Sequence, residues 1–233
     1  MEAEKKFGVA RAAEYVEQSK IALAGYEACH ELTACLLSAV LGEGSHAKVL
    51  VIGGGGTGLE IITAGKLEQN WQFVAVDPSA PMMEIARDSI SKAGLSERTT
   101  FYQGYVDDLD LEASFDAAIM FGVFHHVAGS DEKRALLNSI GQRLKPCSPF
   151  IMSGNRFKYS DKPTFLKAWG NRWRLAGASA ETVTAKLNTI LQGADPPGSD
   201  EEVEQFLWDA GFRGHSKVFS SLFWSSWLTC RME

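Results

Sequence analysis

The chain has 233 residues, of which 45% are apolar and 22% are charged, the size and composition of one globular domain. Its net charge of −6 argues against a general nucleic-acid binder. No run approaches about 18 uninterrupted apolar residues, and the opening Met-Glu-Ala-Glu-Lys-Lys lacks the order of a signal peptide, so we expect a cytoplasmic protein without a membrane span.

Cysteine and histidine spacing predicts neither a disulfide nor a metal site. The four cysteines include no Cys-x-x-Cys pair, and the five histidines show no zinc-ligand spacing. Cys29 and Cys35 lie on one predicted helix but face different directions.

Residues 1–44 are predicted to form an N-terminal helical cap. Apolar residues recur at helical spacing in two stretches between residues 3 and 42. The first helix contains Tyr15 and is expected to end near Ser19. The second is expected to end where Gly42 and Gly44 interrupt the pattern.

A glycine-rich turn follows the first predicted strand. It begins with four consecutive glycines, residues 53–56, and continues to Gly58. Glycine lets the backbone approach a ligand where a Cβ would clash, and the helix after the turn offers free N–H groups. The next strand ends at Asp77, whose carboxylate can accept hydrogen bonds from a ribose diol. The turn and the acid together predict an adenosine-type cofactor.

The glycines fit two cofactor patterns equally well. Gly53-x-Gly55-x-x-Gly58 fits the fingerprint of dinucleotide-binding proteins. Gly54-x-Gly56-x-Gly58 fits the looser pattern of S-adenosylmethionine (SAM) enzymes. The turn alone therefore leaves the cofactor open.

Strands and helices alternate through residues 45–155, the predicted cofactor-binding core. Continuous apolar strands that alternate with helices favour an α/β fold with a parallel, doubly wound sheet. The predicted strands are 48–53, 72–77, 99–104, 115–121 and 149–153, and the predicted helices are about 57–68, 80–93 and 131–144.

Residues 156–198 are predicted to form a helical insertion that acts as a lid. Gly177 separates two helical pieces, and a loop follows at residues 194–198. The insertion is locally basic, which favours a solvated helix face, with a lip that attracts an anionic substrate as the alternative. The basic residues are Arg156, Lys158, Lys162, Lys167, Arg172 and Arg174.

The last predicted unit, residues 199–233, is a helix followed by a β-hairpin. Ser199-x-x-Glu202 forms a capping box, and the helix is expected to stop at Gly211. Residues 215–230 are rich in β-forming side chains and have little helical periodicity.

The order of these segments resembles that of class I SAM-dependent methyltransferases. That family closes its sheet with an antiparallel hairpin after a helix end like Ala210-Gly211-Phe212. The resemblance implies one domain with a Rossmann-like, seven-stranded, mostly parallel sheet. Tyr15, Gly25-Tyr26 and the Gly177 region resemble the branch that contains carboxy-SAM synthase and many small-molecule methyltransferases. Further similar segments are Val76–Met83, Gln103–Leu109, Phe115–Val127 and Leu144–Pro146.

The resemblance implies SAM as cofactor and S-adenosylhomocysteine as product. Asp77 would hold the ribose hydroxyls, Met82 would pack on the adenine, and Asp107 is a candidate acceptor for the adenine amino group. The implied cofactor-binding residues are Tyr15, Tyr26, Gly53, Gly54, Gly56, Gly58, Asp77, Pro78, Met82, Tyr105, Val106 and Phe121.

Two histidines are candidates for a catalytic role. His125 and His126 follow the fourth predicted core strand, at the edge where α/β proteins bind ligands. A base of this kind would help if the acceptor is a hydroxyl or an amine. We prefer His126, and the alternative is a structural turn in which one histidine binds backbone. Four tryptophans are predicted as core rather than as pocket walls, namely Trp169, Trp173, Trp224 and Trp227.

The sequence therefore predicts methyl transfer from SAM to a small acceptor, anionic or aromatic, through an oxygen, nitrogen or carbon nucleophile. Three alternatives stay open: a tRNA-modifying enzyme of the carboxy-SAM synthase type, an NAD(P)-dependent oxidoreductase and a non-catalytic SAM-binding protein. A small-molecule substrate is the expected partner. Neither nucleic acid nor a membrane is expected, and a homodimer is an open possibility.

Overall fold

The computed structural model describes residues 9–110 and 114–232, without the side chains of residues 9–13 and 15. Its centre is a seven-stranded sheet in the order β3-β2-β1-β4-β5-β7-β6. The strands are β1 (Lys48–Ile52), β2 (Gln72–Asp77), β3 (Thr99–Gln103), β4 (Ala117–Phe121), β5 (Pro149–Asn155), β6 (Phe212–Ser221) and β7 (Trp224–Arg231). Strands β1 to β5 run parallel, and the β6–β7 hairpin joins antiparallel to β5. This confirms the predicted fold class.

Helices cover both faces of the sheet. The α-helices are α1 (Val9–Ala22), α2 (Tyr26–Leu41), α3 (Leu59–Leu67), α4 (Ala80–Lys92), α5 (Ser130–Arg143), α6 (Pro163–Leu175), α7 (Ala180–Gly193) and α8 (Asp200–Asp209). One apolar cluster joins α2, α3 and α4 to the sheet, and another joins α5 and α8 to its opposite face. The central strands β4 and β5 are buried at every residue, which explains their continuous apolar sequence.

Several predicted boundaries were wrong by a few residues. Helix α1 continues past Ser19 to Ala22, because the Ser19 hydroxyl donates back to the Val16 carbonyl and leaves the helix intact. The chain instead breaks at Gly25, which adopts a φ of +81°.

Three other elements begin away from their predicted positions. Helix α3 starts at Leu59 rather than 57, because Gly58 has a φ of +63° and forms its N-cap. Strand β4 starts at Ala117, and Phe115 makes only an isolated bridge to Leu144. Strand β6 starts at Phe212 rather than 215, directly after the left-handed Gly211.

The insertion between β5 and α8 packs on the N-terminal helix. Its two helices are separated at Gly177, as predicted, where φ is +89°. The Trp169 indole donates to the Ala22 carbonyl (2.7 Å), and the Trp173 indole donates to the Gln18 side chain (3.0 Å). Both rings are buried with Phe223 in one apolar cluster, so they are core residues.

The insertion also begins and ends at neighbouring points of the fold. The Phe157 N–H donates to the Pro197 carbonyl at 2.6 Å. The chain therefore leaves the sheet after β5 and returns to the same place before α8 begins.

Among the described residues, no helix is long and apolar enough to cross a membrane.

Candidate active site

The glycine turn is tied to the second strand and to helix α4 by its backbone. Gly53 and Gly54 both donate to the Val76 carbonyl, at 2.8 and 3.1 Å, and Gly56 donates to the Met82 carbonyl at 2.8 Å. These bonds bring the turn close to β2. A side chain has no room there, because a Cβ on Gly53 would lie 2.2 Å from Val123 Cγ2.

Asp77 is held at the end of β2 by backbone donors. Its Oδ2 accepts from the Gly55 N–H (3.1 Å) and its Oδ1 accepts from the Ser79 N–H (2.8 Å). Burial raises the pKa of this carboxyl above its ordinary 3.8, while the two backbone hydrogen bonds oppose the shift. Each carboxylate oxygen keeps a lone pair for a further donor, so the group can still accept hydrogen bonds from a diol.

A cavity of about 470 Å³ lies along the carboxyl edge of the parallel strands. It runs from residues 104–107 after β3, past Asp77 and the glycine turn, to residues 121–127 after β4. The first turns of α5 form its outer wall. Ligands of open α/β sheets bind at this edge.

Most of the predicted site residues line this cavity. Those that do are Gly53, Asp77, Pro78, Met82, Tyr105, Val106, Phe121 and His126. Gly54, Gly56 and Gly58 shape the turn from behind: a Cβ on Gly54 would meet Ala75 at 2.8 Å, and one on Gly58 would meet Ile90 at 2.9 Å. Asp107 also lines the cavity, and its carboxylate accepts a hydrogen bond from the Ser139 hydroxyl of α5.

The two predicted tyrosines differ in what the structure describes. The side chain of Tyr15 lies outside the described residues. Tyr26 is buried, and its hydroxyl is 2.7 Å from Thr57 Oγ1 in the glycine turn. Tyr26 is not among the residues that line the cavity. Tyr26 therefore supports the glycine turn at Thr57 without lining the cavity.

Sequence reasoning missed several cavity residues. Gly55 lines the cavity, and a Cβ there would lie 2.7 Å from Asp77 Oδ2. The run of four glycines gave no indication of which of them line the cavity. Glu132, Ala135 and Leu136 of α5 also line the cavity, and their helical spacing toward the sheet edge was the available signal.

The turn after β4 separates the two candidate histidines. His125 is buried, and its Nδ1 accepts from the Asn155 N–H at 3.3 Å. His126 lies beside it, with ring centroids 4.2 Å apart, and faces the cavity. Of the two, His126 is the one that lines the cavity.

A buried lysine and an aspartate of the insertion hold this turn in place. Lys133 is 3% exposed, and its ammonium donates to the Val127 carbonyl (2.6 Å) and to Asp195 Oδ2 (2.8 Å). Asp195 also accepts from the Gly129 N–H (2.9 Å), and its own N–H donates to the His125 carbonyl (2.8 Å). The insertion is thereby tied to the cavity wall that carries His126.

The part of the chain that the structure describes contains no group of three or more His, Cys, Asp or Glu side chains arranged to hold a metal. The polar groups of the cavity instead suit a nucleoside: a glycine turn, a carboxylate at a strand end and apolar side chains for a base. A side chain at Gly55 would not fit beside Asp77, because its Cβ would lie 2.7 Å from Asp77 Oδ2.

Comparison with known proteins shows which proteins share this sequence pattern and fold. Residues 51–148 match the family model of a methyltransferase domain. This part of the chain is therefore similar to a methyltransferase domain. No curated protein matches the chain by sequence.

Solved methyltransferase structures share the fold. Human N-acetylserotonin methyltransferase in complex with SAM has a TM-score of 0.65 and 16% identity, over 97% of this chain and 57% of that chain. An O-methyltransferase family protein from Burkholderia thailandensis has a TM-score of 0.60 and 16% identity, over 94% and 64%. The CurJ carbon methyltransferase has a TM-score of 0.68 and 12% identity, over 97% and 60%. The chain thus spans between 57% and 64% of the lengths of these proteins.

Proposed function

We propose that the methyltransferase domain transfers the methyl group of SAM to a small-molecule acceptor. One observation carries the proposal: a single cavity joins the glycine turn and Asp77 to His126 on the opposite wall. A cofactor held at one end and an acceptor held at the other would meet inside it. Human N-acetylserotonin methyltransferase, which shares the fold, is named for a small acceptor.

The residues of the cavity divide into three roles. Met82 and Val106 would enclose the adenine, and Asp77 would accept hydrogen bonds from the ribose hydroxyls. SAM brings a methyl group on a sulfonium leaving group, so alignment and exclusion of water supply most of the barrier reduction. His126 would accept the proton of a hydroxyl or amine nucleophile.

The basic insertion gives little support to an RNA substrate. The Arg156 guanidinium is buried in an ion pair with Asp200. The Arg172 guanidinium donates to the carbonyls of Ile21 (2.6 Å) and Lys20 (3.1 Å). These cations are therefore engaged in holding the fold, which favours a small molecule over tRNA.

Labelled methyl transfer tests the proposal. The protein is incubated with methyl-labelled SAM and a fractionated cell extract, and label is expected in the small-molecule fraction. Label in RNA would replace the proposal with a tRNA-modifying activity. Tight S-adenosylhomocysteine binding without label in any fraction would indicate a non-catalytic SAM-binding protein, and tighter binding of NADH than of SAM would favour the oxidoreductase.

A further inference from the structure

The carboxylates Asp77, Asp107 and Glu132 all line the cavity, and none of the described residues that line it is a lysine or an arginine. His126 also lines it, but a general base is neutral before it accepts a proton. An anionic acceptor, which the sequence left open, would therefore find no counterion among these residues. A cationic acceptor would meet an acidic wall in a chain whose net charge is −6.

Two of the three carboxylates already have donors within the protein. Asp77 accepts from the backbone N–H groups of Gly55 and Ser79. Asp107 accepts from a hydroxyl of α5. Glu132, by contrast, is exposed and accepts no hydrogen bond from the described part of the chain. Its charge is therefore available to a ligand.

The basic residues that follow Glu132 on α5 are engaged elsewhere. Lys133 is buried and pairs with Asp195 at 2.8 Å. Arg134 pairs with Asp131 at 3.4 Å. Neither of these cations neutralises Glu132.

Glu132 lies at the end of α5 that adjoins the turn after β4. The next residue, Lys133, donates its ammonium to the Val127 carbonyl (2.6 Å) and its N–H to the Gly129 carbonyl (3.3 Å). Val127 directly follows His126, so these two bonds hold the first turn of α5 against the chain segment that carries the candidate base. Glu132 and His126 therefore line the same end of the cavity.

The other end of the same helix face adjoins the adenine side of the cavity. There the Ser139 hydroxyl donates to Asp107, the candidate acceptor for the adenine amino group. Glu132 is seven residues earlier on α5, which is about 10 Å along a helix axis. The two carboxylates are thus placed for different parts of the site: Asp107 for the nucleoside and Glu132 for the acceptor.

We propose that the acceptor is a small cation, and that Glu132 selects it. An ammonium or other cationic nitrogen of the acceptor pairs with the Glu132 carboxylate, while a separate hydroxyl or amine of the same molecule faces His126. That nucleophile bonds to the methyl carbon and gives its proton to the imidazole. The C–S electron pair stays on sulfur, which leaves as a neutral thioether, and the cationic nitrogen is unchanged. This substrate class rests on the proposed function, because it requires SAM to occupy the rest of the cavity.

Sorting the metabolites of a cell extract by charge tests the substrate class with the wild-type protein alone. The small-molecule fraction is separated by ion exchange at about pH 7 into cationic, neutral and anionic pools. Each pool is incubated with the protein and methyl-labelled SAM, and incorporated label is counted after unreacted SAM is removed. The cationic pool should receive most of the label.

The pools also distinguish this inference from the proposed function. Label mainly in the neutral or anionic pool would contradict a cationic acceptor and leave methyl transfer to a small molecule intact. A wild-type protein that labels none of the three pools would contradict the proposed function, and the substrate class would fail with it.

Glu132→Gln tests the residue. At a limiting concentration of the cationic pool, its labelling rate should fall about 3- to 10-fold, the scale of a charge pair that solvent partly screens. At saturating concentration the rate should recover, because the lost contact is equally strong before and during methyl transfer. An unchanged rate at limiting concentration would remove Glu132 from acceptor selection.

Asp131→Asn is the matched control, because it neutralises the preceding carboxylate of the same helix turn, which does not line the cavity. It should leave both rates within about twofold of the wild-type values.

A binding measurement separates the acceptor from the cofactor, since the sulfonium of SAM is itself a cation. Glu132→Gln should leave the affinities for SAM and for uncharged-sulfur S-adenosylhomocysteine within about twofold of the wild-type values by calorimetry. If SAM weakens and S-adenosylhomocysteine does not, the charge of Glu132 acts on the sulfonium, and the proposed role in acceptor selection is wrong.

Discussion

The two sides of the cavity hold their shape by different means. The adenosine wall, residues 53–58 and 76–82, is fixed by backbone hydrogen bonds and by the absence of side chains at Gly53 and Gly55. The acceptor wall, residues 121–129 with the start of α5, is fixed by side chains that reach in from other elements, such as Lys133 and Asp195. The first depends on local chain geometry, and the second depends on long-range contacts.

The two walls should therefore respond differently to amino-acid substitutions. A single added Cβ should disrupt the whole glycine turn, because the turn cannot widen without losing its hydrogen bonds to β2. On the wall that is held by side chains, loss of one hydrogen bond or ion pair should have a smaller effect, since each contributes separately to stability. Four experiments exploit the contrast.

The largest effect is expected on the acceptor wall, at His126. If it serves as the general base, His126→Ala lowers methyl-transfer turnover by about 10²- to 10⁴-fold. Affinity for S-adenosylhomocysteine stays within about twofold, because the cofactor binds without proton transfer. Steady-state kinetics across pH should also lose a limb in the histidine range.

His46→Ala is the control, because His46 is exposed and lies outside the cavity. It should leave turnover unchanged. A loss of less than about tenfold in His126→Ala, with an unaltered pH profile, would mean that proximity alone drives the reaction.

The next effect is expected on the adenosine wall, at Gly53. Gly53→Ala forces an L-residue into a φ of +67° and brings its Cβ to 2.2 Å from Val123. We expect S-adenosylhomocysteine binding to weaken by at least about 100-fold, which is about 2.7 kcal/mol. Calorimetry measures the binding loss, and thermal unfolding measures the loss of stability.

Gly44→Ala is the control that separates the strain of a left-handed backbone from steric crowding by the added Cβ. Gly44 has a φ of +71° but open space where a Cβ would lie. Its substitution should cost about 1–2 kcal/mol of stability from the left-handed backbone alone and leave ligand affinity intact. If Gly53→Ala behaves no worse than Gly44→Ala, the close packing of the turn is unimportant.

A smaller effect is expected for Asp77→Ala, which should weaken SAM and S-adenosylhomocysteine alike by about 1.5–3 kcal/mol. Burial raises the pKa of Asp77, so the carboxylate takes up its proton at a higher pH than the ordinary 3.8. Wild-type affinity should therefore fall with decreasing pH through that raised pKa. Calorimetry at several pH values should show this fall in the wild type and not in Asp77→Ala. Equal pH profiles would remove Asp77 from the ribose site.

The smallest effect is expected for Asp195→Asn, which weakens the tether to Lys133. The Asp195 side chain is 57% exposed, so solvent screening limits the loss of stability to about 0.5–1 kcal/mol. Hydrogen exchange in residues 125–129 should become faster. Asp131→Asn, at an exposed ion pair with Arg134, should change neither quantity.

The same tether has a defined pH dependence. The hydrogen bond from Lys133 lowers the pKa of Asp195. Its stabilisation is therefore present above the unfolded-state pKa and is lost as pH falls through the lower, folded-state pKa. The stabilities of wild type and Asp195→Asn should converge at acid pH. A difference that persists there would assign the effect to the shape of the side chain.

The same contrast explains how much of the protein could be predicted from sequence. The glycine turn, Asp77 and the alternating strands and helices are local patterns, and each demands particular residue types at short spacing. The fold class followed from their order, and residues 51–148 match the methyltransferase domain that this order resembles. Which glycines line the cavity could not be predicted, because identical neighbouring residues give no pattern that distinguishes one from another.

Pairings between distant elements could not be predicted. Lys133 and Asp195 are far apart in sequence and meet only because the insertion folds back onto the turn after β4. Glu60 and His30 meet only because α2 packs on α3. Trp169 and Trp173 were assigned to the core from the usual burial of tryptophan, and their contact with α1 carried no local signature.

The hydrogen bond between Phe157 and Pro197 closes the insertion on itself. Because the excursion begins and ends at one point, its length and content can change without shifting the register of the sheet. Doubling such a loop adds only about 0.6 kcal/mol of closure entropy. The register of the sheet is therefore independent of the length of the chain between residues 157 and 197.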